Sequence, residues 1–426
     1  MKDDFCTMKQ QVKLNTKIMK KLLTITIFTL LSIYGQAQVQ TIDSLKEAID
    51  KHEGRINALD DRVLVNESDL GKLNKIKVSG YVQAQWELYG KDLEKTNGYN
   101  NTFFIRRARV KFTYEATDRI KFVIQPDFST GNLQLKDAYA VVNIPKLKDW
   151  TLWAGQMNRP DYEVEYSSSQ REVIERSRYT TTIYPGEREI GAKLEYNGSK
   201  VPLLFQVMVM NGNFTGTQAK DVDSKKDVMA RLVYTFKMPG AGLGIDLGAS
   251  GYFGGNLAKT NKYVRESDGI IDSLGSVWKY LDKHWAGGEF RIFSDLLGGM
   301  SLKAEYVAGI NSAASTVAAN ATMAQKLASP NTYNNFQGYY IYFIKNIGLK
   351  NQLVARYDYY DPNTKLSGDA AGTSVNYKTW TFAWQYYLND NIRITLNYLI
   401  PKNETNATYP TDIKDNIFTV RVQAKF

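Results

Sequence analysis

From Ile76 to the C-terminus the sequence repeats one unit, an alternating run of about nine to fourteen residues followed by a connection. Successive residues of a strand point to opposite faces, so period-two alternation marks β-strands. It predicts sixteen strands, near 76–89, 102–116, 119–127, 133–144, 149–157, 187–197, 201–211, 226–237, 242–253, 281–293, 299–310, 334–345, 349–360, 376–388, 391–400 and 416–426. The connections alternate in length. Thr117-Asp118, Pro145–Lys148, Gly198–Lys200, Met238–Ala241, Ser294–Gly298, Asn346–Gly348 and Asn389-Asp390 are short. Between them lie 90–101, 158–186, 254–280, 311–333, 361–375 and 401–415, with 128–132 the one brief exception. A soluble barrel has no reason to sort its connections. A membrane-spanning barrel does, with tight turns on the periplasmic side and long loops outside.

The faces of the strands support the same conclusion. Ala108, Val110, Phe112 and Tyr114 alternate with Arg107, Arg109, Lys111 and Thr113. In the last strand Phe418, Val420, Val422, Ala424 and Phe426 alternate with Thr419, Arg421, Gln423 and Lys425. With one face charged, the apolar face must meet lipid and the charged face a wet lumen. Sixteen strands leave an aqueous channel. No stretch after residue 40 holds eighteen consecutive apolar residues, which excludes helical spans there. The predicted fold is all-β: a sixteen-stranded antiparallel transmembrane β-barrel behind an N-terminal α-helical coiled coil.

The N-terminus carries a basic start, Met19-Lys20-Lys21, an apolar run from Leu22 to Tyr34 and then Gly35-Gln36-Ala37. This order is a secretory signal, cut after Ala37, with translation starting at Met19. Cys6 lies upstream, so the exported chain has no cysteine and no thiol chemistry. The leader takes six Lys and two Asp from totals of 54 basic and 44 acidic residues, leaving 48 and 42. That mild excess does not indicate nucleic-acid binding. Residues 42–73 show heptads, with Ile42, Ile49, Ile56, Val63 and Leu70 at a and Leu45, His52, Leu59, Asn66 and Leu73 at d. They predict a coiled coil and self-association, and leave the oligomer number open. The expected divisions are leader 1–37, periplasmic coiled coil 38–75 and barrel 76–426.

Phe103-Phe104-Ile105-Arg106-Arg107-Ala108-Arg109, Gln125-Pro126-Asp127-Phe128, Leu135-Lys136-Asp137-Ala138-Tyr139, Ala154-Gly155-Gln156 with Pro160, and Ile174-Glu175-Arg176-Ser177 together resemble the phosphate-selective porin O and P family. The resemblance spans about residues 76–200. It implies a Gram-negative outer-membrane porin, usually a homotrimer, with an anion-attracting pore. It also implies that the long loop 158–186 folds inward as a constriction. Fold alone does not transfer the substrate.

With the apolar faces outward, Arg107, Arg109, Lys111, Lys121, Lys193, Arg231, Arg291, Lys303, Arg356, Arg393 and Arg421 point into the lumen, with Arg421 near the periplasmic rim. Loop 158–186 adds Arg159, Arg171, Arg176 and Arg178 beside Glu163, Glu165, Glu172 and Glu175. Such groups in a narrow pore attract anions and replace part of their hydration. Each also has a competing role in a wall salt bridge, with Asp127, Asp137, Glu195, Glu289, Glu305 or Asp358 as partners, and Asp127 and Asp137 read as structural ties. Trp86, Tyr89, Trp150, Trp153, Tyr339, Tyr340, Tyr359, Tyr360, Trp380, Trp384, Tyr386 and Tyr387 are candidates for interfacial girdles. The two histidines, His52 and His284, assemble no catalytic or metal cluster, so neither enzyme chemistry nor a cofactor is expected. The combined expectation is a homo-oligomeric channel for small hydrophilic solutes, in contact with outer-membrane lipid. It should prefer small anions, phosphate among them. A non-selective diffusion porin and a structural or adhesive barrel are the alternatives.

Overall fold

The computed structural model describes residues 15–26, 51–56, 58–60, 62–63 and 71. From 75 to 426 it describes all but 130, 213–220, 222, 259, 266, 267, 269, 274–279, 314–321 and 329. The chain divides into two compact units, Met1–Asn74 and Lys75–Phe426. In the first, residues 15–26 are helical, covering the basic start and part of the apolar run; the predicted cleavage site lies outside the described residues. His52, Ile56, Leu59 and Val63 of the heptads are helical. Ile42, Leu45, Ile49, Asn66, Leu70 and Leu73 lie outside the described residues.

The second unit is a closed antiparallel barrel of sixteen strands. They are β1 (Ile76–Tyr89), β2 (Asn101–Thr117), β3 (Ile120–Asp127), β4 (Gln134–Asn143), β5 (Trp150–Asn158), β6 (Arg188–Asn197), β7 (Leu203–Met210), β8 (Asp227–Met238) and β9 (Leu243–Leu257). After them come β12 (Tyr280–Ser294), β13 (Met300–Ala313), β14 (Thr332–Ile347), β15 (Asn351–Asp361), β16 (Tyr377–Tyr387), β17 (Ile392–Asn403) and β18 (Ile417–Lys425). Every predicted strand is present, with ends shifted by a few residues. The connection between β9 and β12 holds a small hairpin, β10 (Lys262–Val264) and β11 (Ile271–Ser273), which the alternation did not foretell.

Each barrel strand pairs with its sequence neighbour, and β18 pairs with β1 to close the wall. At the seam Gly80 N donates to Phe426 O at 2.9 Å and Phe426 N donates to Gly80 O at 3.0 Å. A side chain at residue 80 would collide: its Cβ would lie 2.5 Å from both the Phe426 ring and the Arg109 carbonyl. Closure leaves no strand edge in lipid, where unpaired amides cost several kcal/mol each.

The outward positions Val82, Ile105, Phe112, Phe122, Ile124, Leu152, Leu232 and Phe382 are exposed, while Gln83, Arg107, Gln125, Lys193, Arg231 and Arg356 are buried inside. This inverts a soluble barrel, as a lipid-facing wall requires. The girdle expectation needs correction for Tyr340, Tyr360, Trp153 and Tyr387. Tyr340 and Tyr360 are buried on the lumenal face, 1% and 5% exposed, because neighbours in a strand cannot both face lipid. Trp153 and Tyr387 also turn inward, packing on Lys193 and Arg393. The outward set survives: Tyr339 stacks on Tyr359 and Tyr306, and Trp380 on Phe382.

The long loops and the termini of the barrel lie at opposite ends. Cysteines replacing Thr96 and Lys365, both exposed in long connections, should react with an impermeant maleimide on intact cells. One replacing Leu349, fully exposed in a short turn, should react only after the outer membrane is opened. The reverse labelling order would overturn this topology.

Candidate functional site

The connection from β5 to β6 folds into the barrel, and what holds it there is partly apolar. A six-residue helix, Arg178–Ile183, lays Tyr179 and Ile183 against the inner wall. Tyr179 stacks on Tyr340 at 5.9 Å between ring centroids. It sits directly over Gly338, where an added Cβ would come within 2.4 Å of its own. Trp285 Nε1 donates to Tyr184 Oη at 3.0 Å, and the Trp285 ring stacks on Tyr252 at 4.0 Å. Val164 and Val173 complete this cluster with Met208, Met210, Met229, Val307 and Phe336 from the strands. A buried apolar core thus forms inside the barrel against β7–β9 and β12–β15.

Toward β1 and β16–β18 the loop is held by polar contacts to its backbone. The Ser168 carbonyl accepts from Gln83 Nε2 at 3.0 Å, and the Ser169 carbonyl accepts from Gln423 Nε2 at 2.9 Å and Arg393 Nη2 at 3.2 Å. Arg421 Nη1 donates to the Ile174 carbonyl at 3.2 Å, and Gln385 Nε2 to the Arg171 carbonyl at 3.2 Å. From β15, on the other side, Arg356 Nη1 donates to the Glu175 carbonyl at 2.8 Å. The loop is therefore tied to opposite walls, as a fixed constriction requires.

The charges separate across the lumen. On the β6, β8 and β12–β15 side, the loop's acids meet wall cations. Glu165 pairs with Lys193 and Arg231, each at 3.0 Å, and Glu172 with Lys303. Glu163 lies 3.8 Å from Arg356, which also binds Asp358 at 3.1 Å. Arg231 makes two bonds to Glu289, at 3.0 and 2.9 Å, and Arg291 binds Glu289 at 3.1 Å and Asp246 at 3.4 Å. These predicted pore cations are wall and loop ties, each matched by carboxylate.

On the β1–β2 and β18 side cations outnumber acids. Glu175 is ringed by four guanidinium groups. Arg106 grips it with Nε at 3.0 Å and Nη2 at 3.2 Å, and Arg421 Nη2 lies at 3.2 Å. Arg107 Nη2 and Arg171 Nη1 follow at 3.7 and 3.9 Å. Burial works to raise the Glu175 carboxyl, but Arg107, Arg106, Arg421 and Arg171 outweigh it and hold it well below the usual carboxylate range. Arg109 is a structural tie, binding Asp127 at 2.7 Å, and Arg188 binds Asp137 at 2.8 Å, the roles expected of both aspartates. Lys111 makes no ion pair among the described residues and lines a cavity of about 590 Å³ between β1–β7 and the loop.

The remaining predicted residues are scattered. Lys121 sits by the β2–β3 turn, 46% accessible and 3.6 Å from Glu115, too far toward the mouth to act at the constriction. Arg159 is fully buried against Glu189 at 3.1 Å, and Arg176 binds Glu187 and the Glu163 and Val164 carbonyls. Arg178 leaves the constriction and covers the Tyr377 ring at 3.7 Å. Arg421 corrects the rim expectation: it pairs with Gln85, well into the wall, and joins Glu175.

Strict alternation missed Arg106. A register shift opposite Gln83 and Ala84 turns both Arg106 and Arg107 inward. Such a bulge inserts one extra residue and re-aims the side chains. The tandem itself was the available signal, because without a bulge one arginine would face lipid, at about 2–4 kcal/mol near mid-membrane. A second shift, between Gln125 and Pro126 opposite Asp137 and Leu135, falls at Lys136-Asp137.

A family model described as phosphate-selective porin O and P matches residues 76–263 and 327–426. No curated protein matches the chain. Solved structures with a similar fold include the outer membrane channel DcaP of Acinetobacter baumannii, 15% identical with TM-score 0.52, covering 82% of this chain and 97% of that one. OprB of Pseudomonas putida is 9% identical with TM-score 0.56, covering 85% and 97%. An anion-selective porin from Comamonas acidovorans is 9% identical with TM-score 0.52, covering 82% and 99%. OmpT of Vibrio cholerae, in a trimer form, is 10% identical with TM-score 0.51, covering 82% and 99%.

The two anchors of the loop can be separated experimentally. Tyr179→Ala removes a buried ring, which costs about 3–5 kcal/mol in a packed core. Gly338→Val displaces the same ring from the wall side. Both variants should insert as barrels with raised single-channel conductance and new trypsin cleavage after Arg178. Unchanged conductance in both would mean that the polar ties alone position the loop.

Proposed function

The chain belongs to the phosphate-selective porin O and P family, and from that premise we propose that it passes small hydrophilic solutes with a preference for anions. Membership makes it an outer-membrane channel of a Gram-negative bacterium, open to solute diffusion. The observation that carries the preference for anions is the local imbalance at Glu175, four guanidinium groups about one carboxylate. Screening by salt acts over about 8 Å at physiological ionic strength and is weaker in a confined site, so this excess acts on any ion passing the loop. Phosphate is one candidate solute, since guanidinium groups bind it through paired hydrogen bonds. The anion-selective porin of Comamonas acidovorans, similar in fold, is in keeping with this reading.

A non-selective diffusion channel is the second reading. The matched pairs on the opposite wall, Glu165 with Lys193 and Arg231 above all, favour it. Reversal potentials in unequal potassium chloride decide between the two. Replacing Arg106 and Arg107 together by Gln should move the reversal potential toward cation preference. Lys121→Gln, at the wide mouth, should move it much less. If the double variant keeps the parent's selectivity, the arginines only brace the loop and the non-selective reading stands.

We also propose a homotrimer steadied by a coiled coil over residues 38–75. The heptads and the trimer form of Vibrio cholerae OmpT support it. Deleting residues 38–74 should leave a folded barrel whose oligomers dissociate at lower temperature in detergent. An unaltered dissociation temperature would remove the segment from assembly.

A further inference from the structure

The guanidinium groups around Glu175 have more hydrogen-bonding capacity than that residue uses. Nε of Arg107 and Nε and Nη1 of Arg171 are buried and make no hydrogen bond among the described residues. Arg107, Arg171 and Arg421 keep only 3%, 5% and 3% of their side-chain surface accessible. Glu175 and Arg106, by contrast, each keep 38%. The buried cations therefore lie beneath a carboxylate that reaches lumenal water. That carboxylate belongs to the loop, whereas Arg106, Arg107 and Arg421 belong to the wall.

We propose that Arg106, Arg107, Arg171 and Arg421 form a binding site for the carboxylate or phosphate group of a permeating solute, with Glu175 as its tethered competitor. This rests on the reading of the barrel as an anion-preferring channel. Buried guanidinium groups need a counter-anion, since leaving them uncompensated is costly. Exchanging the Glu175 carboxylate for that of a solute keeps the count of opposite charges the same. The departing Glu175 gives up its bonds to the guanidinium groups, and the solute's anion takes up bonds of the same kind in its place. The exchange is thus nearly balanced, and a solute is held weakly enough to leave. A channel needs such a site: favourable enough to enter, weak enough to release. Without the competitor, four guanidinium groups making charge-assisted bonds would hold an anion rather than pass it.

The geometry sets the ligand class. Arg106 addresses both oxygens of Glu175 side by side, and Arg421 and Arg107 each approach one of them from the wall. Two oxygens on one centre satisfy this arrangement, as in a carboxylate or one edge of a phosphate. Chloride offers one centre and uses only part of it.

The test is anion block of single channels in potassium chloride, titrated separately with inorganic phosphate and with acetate. Glu175→Gln should lower the half-blocking concentration by about tenfold or more in at least one series. The series with the larger shift identifies the preferred group. Glu175→Asp, which withdraws the charge by one methylene, should fall between Gln and the parent. Adding Arg106→Gln to Glu175→Gln should restore the parent's weak block. Heat-modifiable migration in gels reports folding of each variant, and if the Gln variant does not fold, the Asp variant carries the comparison. A folded variant with unchanged block in both series, or a gain that Arg106→Gln does not reverse, overturns the exchange. If the Arg106 and Arg107 double variant still shifts the reversal potential in that case, anion preference survives and only the competitor role is lost.

Discussion

No water in the hydrocarbon core can satisfy a backbone amide or carbonyl, and the rest of this structure follows from that constraint. Sixteen strands pair in sequence order, and the last pairs with the first through Gly80 and Phe426. Once the wall is closed, each strand has one face toward lipid and one toward the lumen, so charged residues have one place to go. At the adjacent Arg106 and Arg107 the wall bulges and takes both inside. The barrel gives up regular pairing at that point because a misplaced arginine would cost more than a disrupted ladder.

Closure at sixteen strands creates a second problem, since wall side chains alone do not fill so wide an interior. The loop between β5 and β6 fills it, and the wall treats the loop as a core on one side and as a polar ligand on the other. Tyr179, Ile183 and Tyr184 find tyrosines, methionines and Trp285. The loop carbonyls at Ser168, Ser169 and Ile174 find Gln83, Gln423, Arg393 and Arg421. Carboxylates extending from the loop then neutralise cations that would otherwise line an open pore. Much of the basic lumen read from sequence is therefore spent on fixing the constriction. The arginines about Glu175 stand apart because one carboxylate contacts all four, and among the described residues only Arg171 has a second, Glu187 at 3.5 Å.

The inward loop was expected only from the family resemblance, but the sequence itself determined the strands, their order, the sorting of turns from loops and the sidedness of each face. All of these depend on period two and on connection length, which are local in the chain. Lumenal orientation of Arg107, Arg231 and Arg356 was legible for the same reason. What each arginine binds was not. Arg421 meets Glu175 across 246 residues and Arg356 meets the Glu175 carbonyl across 181, partners set by barrel closure and the path of one loop. Arg106 also depended on register, because the bulge there reverses the facing of the side chains on either side of it. Periodicity fixes which face a residue shares. Only the closed wall with the loop folded inside decides which charges meet, because Coulomb and hydrogen-bond energies depend on distances in space that sequence separation does not encode.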